Sequence, residues 1–405
     1  MWSSYSRVPI ACARQHALRY ARVAAGAPSR EASQTGARLP SLDGLRGLSI
    51  AFVLVSHAAL PLAGANRIGL RLLEWMGALG VSVFFIISGF LITYLLLQEE
   101  DRYRRFSLPR FYLRRVFRIF PAYYVFLGAT AAAASVGWML VSRRDLLAAS
   151  TFLWNYWPGG GGWNLAHTWS LSVEEQFYLL WPVTLLLAGR RHALKISTAL
   201  IVLAPFVRVA TYFLAPAWRG HIGMMLHTRV DSLMFGCALA LVWDSDGFAR
   251  VRPRLFRPAL LWLALLALLL ASPALTIALA GRYTLAAGFS LQALCATLLL
   301  AWCVSEWRSA AGRVLNARPL VHLGLISYSL YLWQQPFARP DGWFALHGPL
   351  GILLPAVLAA EVSYFVVEQP FLRLRSRIEA RLPPRPRAAA AVAAAQPMPV
   401  EGQLP

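Results

Sequence analysis

Apolar residues recur along most of this chain in runs of helix-spanning length, and charged residues are concentrated between the runs. A helix needs roughly 20 predominantly apolar residues to cross the hydrocarbon core of a bilayer. By this measure the pattern predicts an all-α, polytopic membrane bundle of about ten transmembrane helices. The predicted spans are 43–63, 77–97, 117–140, 171–188, 194–215, 229–244, 258–275, 284–304, 322–338 and 348–368.

The composition favours a membrane protein over a soluble one. The 405 residues are 58% apolar and 14% charged, whereas soluble domains are about 45–50% apolar and about 25% charged. The net charge of +21 is of the kind seen in nucleic-acid-binding chains. No RNA-binding or DNA-binding motif accompanies it, so no nucleic-acid partner is expected.

The basic residues alternate between the predicted loops. With a cytoplasmic N-terminus, the inside loops, the first residues of the spans that follow them and the C-terminal tail hold 23 Lys and Arg residues, and the outside loops hold 7. Because cytoplasmic loops are enriched in basic residues, this asymmetry predicts that both termini are cytoplasmic.

The two ends of the chain differ from its central part. Residues 1–38 are rich in Arg and Ala, and Glu31 is their only acid. Such a composition superficially resembles a transit peptide, but we expect either a disordered cytoplasmic extension or a start codon assigned too far upstream. We expect one transmembrane unit at 39–375 and a disordered, Pro- and Ala-rich cytoplasmic tail at 376–405. The four cysteines have no zinc-type spacing, and no metal site is expected.

Arg46 and His57 are polar exceptions in the first predicted span. They are 11 residues apart, which places them on one helical face at heights that differ by about 16 Å. A lone Arg can snorkel to the headgroups, and a lone His can bond to another helix. Charged and polar side chains cost free energy inside a bilayer, so two of them on one face indicate a functional path. Histidine suits general base chemistry near neutral pH.

Two further sets of charged residues are candidates for the same path. Arg115 and Arg118 are spaced i,i+3 at the start of the third span, so they share a face that suits a phosphate or diphosphate; positive-inside topology alone also explains them. Glu174 begins the fourth span, and a carboxylate near a buried histidine can orient it. Ser172 and Glu175 fit a capping box, which gives Glu175 a structural explanation.

Other polar positions have simpler interpretations. Arg229 and Asp231 predict an intramembrane ion pair, and the polar residues at 327, 331 and 335 predict a stripe that faces the bundle. Pro370 is expected to end the last span. The segment 141–170 is rich in Trp, which suits either the membrane interface or stacking on a sugar ring.

Several motifs follow one another in a fixed order along the chain. They are Ser-Leu-Asp-Gly-Leu-Arg46 with His57, Gly80-Val-Ser-Val-Phe-Phe-Ile-Ile-Ser-Gly-Phe-Leu-Ile92, Arg115 with Arg118, His167 to Tyr178, Arg229-Val-Asp231, Ser327-Tyr-Ser-Leu-Tyr-Leu-Trp333 and Glu368-Gln-Pro370. In this order the motifs resemble the acyltransferase 3 family of membrane proteins, which acylate surface polysaccharides, lipids and small molecules. The resemblance covers about residues 40–375.

The resemblance implies an acyltransferase of the bacterial inner membrane with no tightly bound cofactor. Acyl-CoA, commonly acetyl-CoA, is the implied donor, and a hydroxyl of an envelope saccharide, glycolipid or small molecule is the implied acceptor. Arg46, Arg115 and Arg118 would hold the phosphates of CoA. His57 would act as the general base or carry the acyl group briefly, with Glu174 as its orienting or charge-stabilising partner.

Two departures from the family pattern bear on this expectation. The family often has histidine directly after Tyr-Leu-Trp, where this chain has Gln334. Some relatives also carry an extracytoplasmic hydrolase-like domain, whereas this chain ends about 35 residues after Pro370. Direct transfer to the acceptor, or transfer through a separate partner, is therefore expected.

Two other functions are compatible with buried charges in a bundle. A transporter or flippase for a lipid-linked sugar also needs a polar cavity, although no internal repeat of the kind common in transporters is evident. A non-catalytic partner in an envelope-assembly complex is the third alternative.

Overall fold

The computed structural model describes residues 39–63, 66–157, 162–338, 349–383 and 385, and the regular elements in these ranges are all helices. Within these described ranges, seven helical stretches are long and apolar enough to cross a membrane. The helices are α1 (Leu42–Ala63), α2 (Arg67–Tyr103), α3 (Leu108–Ser135), α4 (Arg143–Ser150), α5 (Trp163–Ala166), α6 (Thr168–Leu214), α7 (Leu226–Val242), α8 (Asp246–Leu255), α9 (Pro258–Leu279), α10 (Gly281–Ser305), α11 (Ala310–Leu315), α12 (Arg318–Leu325), α13 (Ser327–Phe337) and α14 (Gly351–Arg381). The crossing stretches are α1, α2, α3, α5 with α6, α9, α10 and α14.

The all-helical membrane bundle is as expected, but the predicted count of about ten spans is not confirmed. The predicted spans 171–188 and 194–215 both lie in α6, where two helices meet at a kink at Gly189. Gly189 has φ 68° and ψ 168°, a conformation that glycine adopts readily. The predicted spans 229–244 and 322–338 correspond to shorter helices, namely α7 with 17 residues and the pair α12 and α13.

The prediction that Pro370 ends the last span is wrong. Ser363–Glu368 winds as a π-helix, and Gln369–Arg381 continues as an α-helix from it. Pro370 is therefore in the first turn after the wider segment, where its missing N–H and fixed φ are tolerated. As a result α14 extends beyond residue 375, the predicted end of the transmembrane unit. The predicted extension at 1–38 lies outside the described residues, as do residues 386–405 of the tail.

Helices α2 and α7 cross with their backbones in close contact. A Cβ atom added at Gly89 would overlap the carbonyl oxygen of Leu233, and one added at Gly236 would overlap that of Ile86. Small residues permit this approach in membrane bundles, where close packing rather than hydrophobic burial holds helices together. The crossing also determines the position of Ser88, which precedes Gly89 and lines the cavity described below.

We expect Gly89→Ala to destabilise the protein by about 1–3 kcal/mol, because the added methyl group forces the two backbones apart. Gly128→Ala is the matched control, since Gly128 is exposed on α3 and a Cβ there meets no heavy atom within 4 Å. Thermal unfolding of the protein in detergent measures both variants. Equal unfolding temperatures for the two variants would contradict the proposed crossing.

Candidate active site

Side chains from α1, α2, α3, α6 and α13 surround one cavity inside the bundle, with an empty volume of about 850 Å³ that includes the open space at its mouth. Its charged lining residues are Arg46, Arg115, Arg118, Glu174 and Glu175. The structure thus brings four of the five predicted site residues to one place. The fifth, the histidine of α1, is not among the lining residues.

The three arginines of this cavity differ in how far their charges are already paired. Arg118 Nη1 lies 3.1 Å from Glu368 Oε2, and the Glu368 residue is only 2% exposed. Arg46 reaches the hydroxyl of Ser327 with Nε at 3.4 Å and Nη2 at 3.3 Å. Among the described residues no carboxylate lies within 4 Å of Arg115, and its buried Nε makes no hydrogen bond. Arg115 therefore has the most capacity left for an incoming anion.

Glu174 lies with the arginines and not with the histidine of α1. Its Oε1 accepts a hydrogen bond of 2.6 Å from Ser88 Oγ, and the Tyr178 hydroxyl donates to the same Oγ at 3.1 Å. Glu174 and Tyr178, which are spaced i,i+4 on α6, therefore share a face and a common partner. No hydrogen bond joins Glu174 to His57 in the described part of the chain, so the expected orienting contact is absent from this structure.

The capping box predicted for Ser172 and Glu175 is wrong. Helix α6 already begins at Thr168, and the Ser172 hydroxyl, one turn into the helix, donates to the Thr168 carbonyl at 3.0 Å. Glu175 instead lines the cavity beside Glu174. A serine followed three residues later by glutamate occurs inside helices as well as at their ends, and the pattern alone does not say which.

His57 has a neutral partner from α13. Its Nδ1 lies 2.7 Å from Oε1 of Gln334, and its ring meets the Trp163 ring edge-on at a centroid distance of 5.6 Å. Because a carboxamide oxygen only accepts, Nδ1 carries the hydrogen and Nε2 keeps its lone pair. The position where this chain departs from the family pattern is thus the position that contacts His57.

His167 was not singled out by the sequence analysis. The residue is 2% exposed, and its ring packs against Phe126 and Tyr331 at centroid distances of 5.4 and 5.5 Å. The Tyr331 hydroxyl donates to the His167 carbonyl at 3.1 Å and pairs with Ser170 Oγ at 2.6 Å. Tyr331 and Ser170 also line the cavity, so His167 lies directly behind the cavity wall. The only feature of the sequence that pointed to His167 as a residue near the site was its place in a motif with two glutamates.

The polar stripe predicted at 327, 331 and 335 is confirmed, because all three residues are buried against other helices. Gln335 Oε1 accepts from the backbone N–H of His167 at 3.0 Å, and its Nε2 donates to the Trp163 carbonyl at 2.7 Å. The Trp163 indole donates in return to the Gln335 carbonyl at 2.9 Å. These bonds tie the start of α6 to α13 and hold His167 in place.

The partner expected for Asp231 needs correction. Asp231 Oδ2 accepts from Arg208 Nη1 at 2.8 Å, and both side chains are fully buried. Arg229 instead donates to Ser82 Oγ at 2.7 Å and lies 3.9 Å above the Phe289 ring. Side chains two residues apart on a helix point in different directions, which explains why Asp231 pairs with another helix.

The Trp-rich segment is folded against the bundle where it is described. Trp154 is buried, and the Trp157 indole donates to Asp145 Oδ1 at 3.1 Å. Much of this aromatic surface therefore serves packing. Residues 158–161, which include most of the glycine run, lie outside the described residues.

Comparison with known proteins agrees with the order of motifs. The model of the acyltransferase 3 family, described as an acyltransferase domain, matches residues 39–358. YrhL of Bacillus subtilis is 29% identical over 368 residues, which are 82% of this chain and 54% of that protein. The O-acetyltransferase OatA of Staphylococcus aureus is 27% identical over 374 residues, 85% of this chain and 59% of that protein.

The peptidoglycan O-acetyltransferase OatA of Listeria monocytogenes is 28% identical over 364 residues, 82% of this chain and 55% of that protein. The chain thus spans 54–59% of the length of these relatives. No solved structure matches the chain. Since the family match covers most of the sequence and includes the whole cavity lining, the chain belongs to the acyltransferase 3 family.

Proposed function

We propose that this multi-pass membrane protein transfers an acyl group, in the simplest case acetyl, from cytoplasmic acyl-CoA to a hydroxyl of a cell-envelope saccharide. The observation that carries the proposal is the arginine-lined cavity with His167 behind its wall, and with His57 further along α1, the helix that contributes Arg46. The relatives named as O-acetyltransferases support acetyl as the group, and the name of the Listeria protein supports peptidoglycan as the acceptor class.

The arginines supply a binding site for the phosphates of CoA. Arg46, Arg115 and Arg118 line one cavity, and guanidinium groups bind phosphate oxygens through paired, charge-assisted hydrogen bonds. Arg115 is the principal contact, because none of the described carboxylates forms an ion pair with it, whereas Arg118 is already paired with Glu368. The excess of basic residues in the loops predicted to be inside supports a donor that binds from the cytoplasmic side of the bacterial inner membrane, with both termini of the chain in the cytoplasm.

The pantetheine arm then carries the thioester along α1. His57 lies about 16 Å along the helix from Arg46, and Tyr331, which lines the cavity with Ser170, contacts the ring of His167. The acceptor oxygen attacks the thioester carbon, a C–O bond forms, and the C–S bond breaks. His57 Nε2 takes the hydroxyl proton and returns it to the departing sulfur, so that free CoA thiol and an ester are the products.

Acceptor-dependent release of CoA thiol tests this function. We expect the purified full-length protein in lipid nanodiscs to release thiol from acetyl-CoA when a soluble peptidoglycan fragment is added, and to label the fragment with acetyl. The reaction without the fragment is the control for hydrolysis. A transporter or flippase of a lipid-linked sugar, or a non-catalytic partner, would give no thiol above this control.

A further inference from the structure

One buried polar atom beside His57 has no hydrogen-bond partner among the described residues. It is Nε2 of Gln334, the residue whose Oε1 contacts His57. Gln334 is 1% exposed. Because buried polar groups are nearly always paired, this unused donor indicates that a bound molecule completes it.

The neighbouring glutamine shows what a purely structural amide looks like in this fold. Gln335 uses both ends of its side chain within the protein, accepting from the His167 backbone and donating to the Trp163 carbonyl. Gln334 uses only its oxygen, which accepts from His57 Nδ1 at 2.7 Å. The unused end of Gln334 is an N–H donor on the same carboxamide, held immediately beside the imidazole.

We infer that Gln334 acts at both ends of its side chain: Oε1 orients His57, and Nε2–H donates to the acyl carbonyl oxygen during transfer. The inference rests on the proposed function. As the acceptor oxygen bonds to the thioester carbon, an electron pair moves onto the carbonyl oxygen, which then accepts the Nε2 hydrogen bond. When the carbonyl re-forms, the C–S bond breaks and the sulfur takes the proton held by His57.

This arrangement explains why an uncharged side chain at position 334 suffices. The oxygen end places the hydrogen on Nδ1 and leaves Nε2 as the base. The nitrogen end offers a donor where negative charge develops, and removal of one such donor typically lowers kcat by about 10²–10³-fold. A neutral imidazole also has one acceptor and one donor nitrogen, so histidine is the conservative replacement.

The test compares three variants at position 334 by their kcat and KM for acetyl-CoA in the thiol-release assay. Gln334→Met has a similar length and lacks both polar ends, so we expect kcat to fall about 10²–10³-fold with KM for acetyl-CoA within about twofold. Gln334→Glu keeps an acceptor for Nδ1–H and loses the amide donor, so a large part of the same loss is expected. Gln334→His is expected to stay within about tenfold of wild type.

Gln292→Met is the matched control. Gln292 is a buried glutamine of α10 with one unpaired end, its Nε2 donating to Ser272 Oγ at 2.9 Å, and it is absent from the cavity lining. Wild-type kcat in Gln334→Met, or an equal kcat loss in Gln292→Met, would overturn the inference about Gln334 and leave the proposed function standing. Wild-type kcat in Gln334→Glu would overturn the donor role of Nε2. Absence of thiol release by the wild-type protein would overturn the proposed function itself.

Discussion

Replacement of His57 by alanine is expected to lower acyl transfer by about 10²–10⁴-fold, because a positioned general base contributes a factor of this size. The loss should appear in kcat, measured as acceptor-dependent thiol release. Binding of CoA should be almost unchanged, since the arginines proposed to hold its phosphates line the cavity without His57.

The control for this variant is His192→Ala. His192 is an exposed histidine of α6 whose Nδ1 lies 3.2 Å from the carbonyl oxygen of Ala188 on the same helix, so its loss should leave the rate unchanged. Wild-type transfer by His57→Ala would remove His57 from the mechanism. Mass spectrometry of acid-quenched protein then separates the two roles open to His57, because only a carrier role leaves an acylated His57 peptide.

Arg115→Ala and Arg118→Ala are both expected to weaken CoA binding, because each removes a guanidinium group that can bind phosphate. The two variant proteins should differ in their stability against unfolding. A charge-assisted hydrogen bond contributes about 1.5–3 kcal/mol, so loss of Arg115 should reduce affinity for CoA by roughly 10–150-fold with little change in unfolding temperature. Arg118→Ala also leaves Glu368 buried without its cation, which typically costs about 3–5 kcal/mol. Isothermal titration with CoA and thermal unfolding measure the two effects.

The double variant Arg118→Ala/Glu368→Gln separates binding from stability. The neutral carboxamide that replaces the carboxylate keeps an acceptor for the Ser329 hydroxyl and carries no charge, so most of the stability should return while the CoA affinity stays low. Unchanged affinity in both single arginine variants would reduce Arg115 and Arg118 to topology signals. Equal destabilisation by Arg115→Ala and Arg118→Ala would contradict the difference in their pairing.

The hydropathy pattern predicted the class of fold well and its segmentation less well. Length and apolar content identify a crossing helix because the bilayer core has a set thickness. They do not show how two successive spans are joined: in α6 the two helices meet directly at the non-helical Gly189. Nor do they show that a π-helical turn lets α14 continue through Pro370.

Two predictions based on spacing along the sequence named the wrong partner for a carboxylate. The capping-box pattern explained Glu175 by residues three positions away, whereas the structure places it in the cavity next to Glu174. The pair Arg229 and Asp231 suggested each other by proximity in sequence, whereas Asp231 pairs with Arg208 on α6. In both cases the actual neighbour comes from another helix or from the cavity, and spacing along one helix carries no information about it.

By itself, the sequence determined that this chain is a helical membrane bundle. It also showed that four charged residues lie in or beside apolar spans, where burial of a charge costs free energy, and that they need a common explanation: Arg46, Arg115, Arg118 and Glu174. Hydrophobicity and helical periodicity are properties of single segments, so they can be read without a fold. Only the tertiary structure decided which charges are already paired and that Gln334 is the partner of His57. Those contacts join residues that are far apart in the sequence, and helix packing alone selects them.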